Sequence, residues 1–177
     1  MGEAERLPSA DGTKRLRVPR LSFFASAAAV FALDRLAKCL LEGRDGVILK
    51  GVLALTTAHN TGAAMSMLSG MPVLAGVLSL LGLAAVWFAA ARLAKSRTAA
   101  LCLGLIFGGA AGNLLDRVLH GYVIDLFEFL FVRFSIFNVA DAAITVGCAM
   151  AAFLLLFRYD RNWKGSDRDA GKHKMPS

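Results

Sequence analysis

The stretch Met71–Leu93, MPVLAGVLSLLGLAAVWFAAARL, contains a single charged residue, Arg92, near its end. A bilayer core about 30 Å thick is crossed by roughly 20 mostly apolar residues in a helix, so this stretch predicts a transmembrane helix. The composition agrees, because 56% of the 177 residues are hydrophobic and only 19% are charged. Soluble domains average roughly 45–50% apolar and about 25% charged residues.

Three further stretches approach the same length and apolarity: Leu21–Leu41, Thr98–Leu115 and Val139–Phe157. The second of them ends in GLIFGGAAGN, whose small residues let helix backbones approach closely in a membrane. We therefore predict a mainly α membrane protein with four transmembrane helices in a single domain, residues 21–157. Basic tails, residues 1–20 and 158–177, flank it.

The first stretch follows a basic segment, which is also typical of a secretory signal peptide. Its first thirteen residues, from Leu21, carry no charge. Cleavage there would leave an odd number of spans and place one basic end outside the cell. We therefore interpret Leu21–Leu41 as a permanent helix.

The positions of Lys and Arg predict the orientation. Of the 20 such residues, five lie in the N-terminal tail, three between Arg92 and Arg97, and six from Arg158 onward. Both termini are therefore expected in the cytoplasm, and residues 42–70 and 116–138 on the outer side. A nucleic-acid partner is not expected despite the net charge of +7, because the charges follow the ends of apolar segments rather than one face of a module.

The two outer connections have unusual compositions. Gly46–Gly62 is rich in Val, Ile, Leu and Thr and is bounded by glycines, which predicts short strands in a small β-sheet. Leu126–Phe137 places five phenylalanines among two charges, so we expect it in or near the lipid interface. Packing over the helix ends is an alternative that is compatible with this location.

Two acidic residues, Asp125 and Asp141, are expected at the same depth on the outer side. Charge in or beside a membrane is costly, so such residues suggest function. Asp141 lies three residues into the fourth predicted helix, and Gly121 lets the chain turn back toward the membrane before Asp125. Two carboxyl groups close together in a low dielectric share one proton, so that one serves as acid and the other as base.

The sequence offers little for metal or nucleophile chemistry. It has only three histidines, of which His173 lies in a charged tail. Its three cysteines lack a CxxC spacing: Cys39, Cys102 and Cys148. We therefore expect no metal and no cofactor.

Four blocks, in this order, resemble the lipoprotein signal peptidase (signal peptidase II) family. They are HNTGAA at His59–Ala64, GGAAGNLLDR at Gly108–Arg117, GYVIDLFEF at Gly121–Phe129 and FNVADAAI at Phe137–Ile144. LDRLAK, Leu33–Lys38, is similar to a further block. The departures are Arg35 and Ala37, where glutamine and threonine are usual, and Met65 in place of a common phenylalanine.

The resemblance implies an aspartic endopeptidase that cleaves prolipoproteins before a diacylglyceryl-modified cysteine. The family's catalytic aspartates fall on Asp125 and Asp141. Its substrate-binding or supporting polar positions fall on Asn60, Asn113, Arg117, Asn138, Asp116, Asp34 and Lys38. The implied partners are the lipid-modified signal peptide and membrane lipid. We expect a monomer in the bacterial inner membrane, with its active site at the periplasmic face.

Each of these residues also has a structural interpretation. Asp125 and Asp141 could be ion partners of Arg117 or Arg133, and Asp116 could form a salt bridge between helices. Asp34 and Lys38, four apart on one helix face, are expected to pair with each other.

The amides have simpler alternatives as well. Asn113 and Asn138 could be helix-end hydrogen bonders. Asn60 could stabilise the turn formed with the residues that follow it, although we favour contact with the substrate backbone. His59 and His120 are interpreted as interfacial polar residues.

Two other functions fit the composition. A small proton-coupled transporter or channel would place acidic groups near the bilayer midplane and break helices there. A structural assembly factor would need neither aspartate for prolipoprotein processing.

Overall fold

The computed structural model describes residues 20–62, 71–94 and 96–170. Its elements, in chain order, are α1 (Leu21–Leu41), β1 (Gly46–Leu49), β2 (Leu53–Asn60), α2 (Pro72–Leu93), α3 (Arg97–His120), β3 (Val123–Phe129) and α4 (Val139–Ala170). The mainly α architecture with a small sheet is the predicted one. Met65, nearly all of the N-terminal tail and residues 171–177 lie outside the described residues, and α4 continues past the predicted end at Phe157.

Within the described residues, three helical segments are long and apolar enough to cross a membrane: Val73–Leu93, Arg97–His120 and Val139–Leu156. α1 has a similar length of 21 residues but carries three charged residues in its second half, Asp34, Arg35 and Lys38. All three form ion pairs within the protein, and Asp34 and Lys38 are buried. The charges of α1 are therefore turned toward the helix bundle.

α3 is the central helix and packs against α1, α2 and α4. Its glycines face two of these neighbours. A Cβ atom added to Gly112 would lie 2.8 Å from Asp34 Oδ2 on α1, and one added to Gly109 would lie 2.9 Å from Ile144 Cγ1 on α4. The small residues of GLIFGGAAGN therefore allow α3 to pack closely against its neighbours, as the sequence predicted.

α3 extends to His120, so the predicted end at Leu115 was wrong. Asp116 and Arg117, expected in the outer connection, lie on the helix. The helix continues because Asp116 is fully buried against cations of α1. It ends at Gly121, which has φ 80°, a left-handed conformation that favours glycine. The chain then turns directly into β3.

The sheet is antiparallel with the order β1-β2-β3. β1 and β2 lie where short strands were predicted. β3 was not predicted: the first residues of Leu126–Phe137, which is expected in or near the lipid interface, belong to a strand that pairs with β2. Leu126 is fully buried and packs with Leu55 and Ile124, which holds this strand in the protein core.

Candidate active site

Asp125 lies in β3, opposite Ala58 of β2, with only 2% of its surface exposed. Its Oδ1 accepts a hydrogen bond of 2.7 Å from Nδ2 of Asn138. Its Oδ2 accepts one of 3.1 Å from Nδ2 of Asn60. Two neutral amides therefore hold this carboxyl group.

Asp141 lies in the first turn of α4 and is also held by neutral donors. Its Oδ1 accepts a hydrogen bond of 2.8 Å from Nδ2 of Asn113, and its Oδ2 one of 3.3 Å from the backbone N–H of Asn138. In return, the N–H of Asp141 donates to Oδ1 of Asn138 at 2.9 Å. This reciprocal pattern is a capping box, and it explains why α4 begins where it does.

Asn138 joins the two carboxyl groups, because its side chain contacts Asp125 while its backbone contacts Asp141. A bridge just before it makes this contact possible. The N–H of Phe137 donates to the carbonyl of Phe127 at 2.9 Å, and the N–H of Phe127 donates back at 2.8 Å. The start of α4 is thereby held against β3, and we call Asp125 and Asp141 the carboxyl pair.

Burial raises the pKa of Asp125 to about 6, and the nearby charge of Asp141 acts in the same direction. The amides of Asn60 and Asn138 oppose the shift by stabilising the ionised form. The two acids are therefore electrostatically coupled, as a pair that shares a proton requires.

Among the residues that the structure describes, no cation forms an ion pair with the carboxyl pair, although Lys38 and Arg117 act on it through their charges from a greater distance. Arg117, one of the alternative partners, donates instead to the backbone carbonyls of Gly62 at 2.9 Å and Asn113 at 3.4 Å. The same described residues contain no group of three or more His, Cys, Asp or Glu side chains that could hold a metal ion. The arrangement is chemically suited to proton transfer between two acids and a water molecule.

A second set of charges, which we call the ion cluster, lies beside the pair and consists of Asp34, Arg35, Lys38 and Asp116. Lys38 Nζ lies 3.0 Å from Asp34 Oδ2, the pair expected from their spacing, and 2.6 Å from Asp116 Oδ2. Arg35 contacts both carboxylates at 2.6 Å. Asp116 therefore does form a salt bridge between helices, and its partners are on α1.

The two sets are connected through Asn113. Its Oδ1 accepts from Lys38 Nζ at 3.3 Å and from Nδ2 of Asn138 at 3.2 Å. With the oxygen so engaged, the amide NH2 group points toward Asp141. The alternative of a helix-end role does not apply to Asn113, which lies well inside α3, whereas Asn138 does cap α4.

The end of β2 is held in a turn. Asn60 Oδ1 accepts the N–H of Gly62 at 3.0 Å, the predicted turn contact, while its amide reaches Asp125. The neighbouring His59 stacks on Tyr122 with ring centroids 4.3 Å apart and lies 3.2 Å from Glu42. Asn60 is thus part of the site, and His59 is a partly exposed polar residue beside it.

Arg35 is the site residue that the sequence interpretation missed, since it was noted only as a departure from a family block. The sequence did contain a signal that could have identified it. Arg35 is a third charge in an otherwise apolar stretch and adjoins Asp34, and buried charges require partners. Its contact with Asp116 joins positions 81 residues apart, which a local pattern does not reveal.

The model of the family described as signal peptidase (SPase) II matches residues 26–157 of the chain. The lipoprotein signal peptidase of Geobacillus kaustophilus is 36% identical over 155 residues, which cover 83% of this chain and 100% of that protein. The lipoprotein signal peptidase of Streptococcus pneumoniae is 38% identical over 133 residues, which cover 72% and 87%.

Two solved structures, each described as a bacterial membrane enzyme studied by the in meso method, are similar. One has a TM-score of 0.70 at 26% identity, covering 80% of this chain and 97% of that chain. The other has a TM-score of 0.68 at 24% identity, covering 92% and 99%, and shows the same fold.

Proposed function

Because this chain belongs to the signal peptidase II family, we propose that Asp125 and Asp141 are the catalytic pair of its peptidase activity. The protein is a multi-pass bacterial membrane enzyme, an aspartic peptidase that cleaves the signal peptides of prolipoproteins. The observation that supports the assignment is the shared contact with Asn138, which holds the buried carboxyl group of Asp125 and the half-buried one of Asp141 beside each other.

In the proposed mechanism, the pair carries one proton. Asp141 lies at the N-terminus of α4, where the helix dipole favours a negative charge, and therefore acts as the base that takes a proton from the attacking water. Asp125, whose pKa is raised to about 6, holds the proton, polarises the scissile carbonyl and then protonates the leaving nitrogen.

The remaining polar residues have supporting roles. Asn60, Asn113 and Asn138 orient the two carboxyl groups. Arg117 holds the turn at Gly62 beside them. Asp116 and Asp34 accept hydrogen bonds from backbone N–H groups beside the pair, and Lys38 forms ion pairs with both of them. This arrangement needs neither a metal nor a cofactor.

The substrate is proposed to be a prolipoprotein with a diacylglyceryl-modified cysteine, cleaved before that cysteine by a monomeric enzyme. The signal peptide would enter laterally from the lipid and pack among the helices. The carboxyl pair lies where β3 meets the start of α4, at the sheet end of the bundle. The distribution of Lys and Arg supports a periplasmic location for that end and cytoplasmic positions for both tails, outside the domain of residues 21–157.

We also propose that the phenylalanine-rich segment after β3 covers the bound substrate. Phe129 lies 5.4 Å, 6.0 Å and 4.9 Å, between ring centroids, from Phe131, Phe134 and Phe137. Phe131 and Phe134 remain largely exposed. Replacing residues 130–136 by a shorter Gly/Ser linker should raise KM. An unchanged KM and kcat would contradict a covering role.

The central test supplies the purified enzyme with a lipid-modified prolipoprotein and its unmodified counterpart, with D125N and D141N as matched variants. The wild-type enzyme should cleave the modified substrate only, and both variants should be inactive while remaining folded. Cleavage by either variant would overturn the catalytic assignment. Equal cleavage of both substrates would overturn the proposed requirement for the lipid.

A further inference from the structure

Each carboxylate of the ion cluster binds the backbone of the residue that precedes one member of the carboxyl pair. Asp34 Oδ1 accepts a hydrogen bond of 3.1 Å from the backbone N–H of Ala140, the residue before Asp141. Asp116 Oδ2 accepts one of 3.2 Å from the backbone N–H of Ile124, the residue before Asp125. Each member of the pair therefore follows a residue whose backbone is held by a fully buried carboxylate.

Arg35 joins these two carboxylates. Its Nη1 donates to Asp116 Oδ1 and its Nη2 to Asp34 Oδ2, both at 2.6 Å. Nη2 also donates to the carbonyl of Gly112 at 3.2 Å, so the guanidinium group is tied to the backbone of α3 as well. A guanidinium group is planar and rigid, so two carboxylates bound to its two terminal nitrogens have a set spacing.

Lys38 contacts the same two carboxylates but has a different geometry. Its ammonium group lies 3.0 Å from Asp34 and 2.6 Å from Asp116, and it also donates to Asn113. An ammonium group is a point charge on a flexible stem, so it supplies attraction without setting a spacing. Spacing therefore depends on Arg35.

We propose that Arg35 is a positioning residue that sets the distance between the catalytic carboxyl groups by bridging the two aspartates that hold their preceding residues. The inference rests on the proposed catalytic roles of Asp125 and Asp141. Arg35 itself touches neither of them through any contact in the described part of the chain. A looser bridge should let the pair separate, and because the nearby charge of Asp141 helps to keep the proton on Asp125, the separated pair should bind its shared proton less tightly.

Two substitutions separate charge from geometry. R35K keeps the positive charge but loses the rigid fork, and R35Q loses both. We expect kcat to fall about tenfold for R35K and about 100-fold for R35Q, with KM nearly unchanged, because a small misplacement of reacting groups is costly. R44Q removes an equivalent charge from exposed Arg44 just beyond α1 and should leave both constants unchanged.

The pH–rate profile distinguishes positioning from a loss of folded enzyme, because the folded fraction scales the rate without moving the profile. For R35K the alkaline limb should move to lower pH, since separated carboxyl groups bind the shared proton less tightly. A wild-type profile and kcat for R35K, or a loss explained wholly by raised KM or lost folding, would overturn the inference. In that case inactive D125N and D141N would still support the proposed function, whereas activity in either would contradict the function itself.

Discussion

The ion cluster and the carboxyl pair each contain two carboxyl groups at the sheet end of the bundle, yet their partners differ. Asp34 and Asp116 contact two cations at 2.6–3.0 Å. Asp125 and Asp141 accept hydrogen bonds from asparagine amides and one backbone N–H. Three of the four groups are buried and Asp141 is half-buried, so their partners separate the two sets more clearly than burial does.

A carboxylate beside a cation stays ionised and is useful as a fixed acceptor, whereas one beside neutral amides can gain and lose a proton. Asp34 and Asp116 accordingly hold backbone N–H groups. Asp125 has a pKa raised to about 6, within the range in which a proton can be exchanged during turnover. Two sets of acids with different partners thus lie side by side, which is consistent with the proposed structural role of one and the proposed catalytic role of the other.

The largest expected effect tests the catalytic side of this comparison. D125N and D141N should each abolish measurable prolipoprotein cleavage, because a positioned acid or base usually contributes about 10²–10⁴-fold and the proposed mechanism needs both groups. Their thermal midpoints in detergent should change little, because Asn keeps one of the two acceptor oxygens and neither carboxyl group forms an ion pair among the described residues. A variant that is unfolded as well as inactive would show that the pair is structural.

Breaking the ion cluster should instead lower the stability of the protein. K38M removes a cation from two buried carboxylates and should lower the free energy of unfolding by about 3–5 kcal/mol. The matched control K50M, at an exposed lysine in the β1–β2 turn, should change it by no more than about 0.5 kcal/mol. Equilibrium unfolding in detergent measures both. If K38M lowered the free energy of unfolding no more than K50M does, the stabilising role of the ion cluster would be contradicted.

Asn138 belongs to both the cap of α4 and the carboxyl pair, and two substitutions separate these functions. N138S keeps an oxygen for the N–H of Asp141 but loses the amide that donates to Asp125. N138A loses both, so it should be about 1 kcal/mol less stable than N138S. Their kcat values should be similarly reduced. Full activity in N138S would show that the amide is not needed by Asp125.

A small effect is expected on the pH dependence of the free energy of unfolding. Folded Asp125 keeps its proton up to about pH 6, whereas in the unfolded chain it loses it near its ordinary value of 3.8. The folded state therefore binds more protons in this interval, and the contribution of Asp125 to the free energy of unfolding falls as pH rises from about 4 to 6. D125N should remove that part of the slope in thermal melts. An identical slope in both proteins would contradict the raised pKa.

The same pKa predicts the alkaline limb of the rate. Since the proposed mechanism needs one protonated and one ionised carboxyl group, kcat/KM should fall as pH rises through about 6 and Asp125 of the free enzyme loses its proton. A profile of kcat/KM against pH, measured on the lipid-modified substrate, tests this. A rate that is constant from pH 5 to pH 8 would contradict a shared proton.

Local sequence properties predicted much of this molecule. α1 and the end of α2 fall where they were expected, and β1 and β2 lie in the stretch predicted to form strands. Length, apolarity and bounding glycines are properties of contiguous residues, so they need no knowledge of the fold. The same analysis was wrong about the end of α3 and missed β3, because those elements depend on contacts with α1 and β2.

By itself, the sequence determined that the chain is a helical membrane protein. It also identified the acidic residues with a candidate catalytic role, because a charge in lipid is costly whichever residue later pairs with it. Only the tertiary structure decided which acids are neutralised. Asp34 and Asp116 meet Arg35 and Lys38, whereas Asp125 and Asp141 meet asparagines. That division follows from distances between residues far apart in the chain, and it supports the proposed structural role of one set and the proposed proton-sharing role of the other.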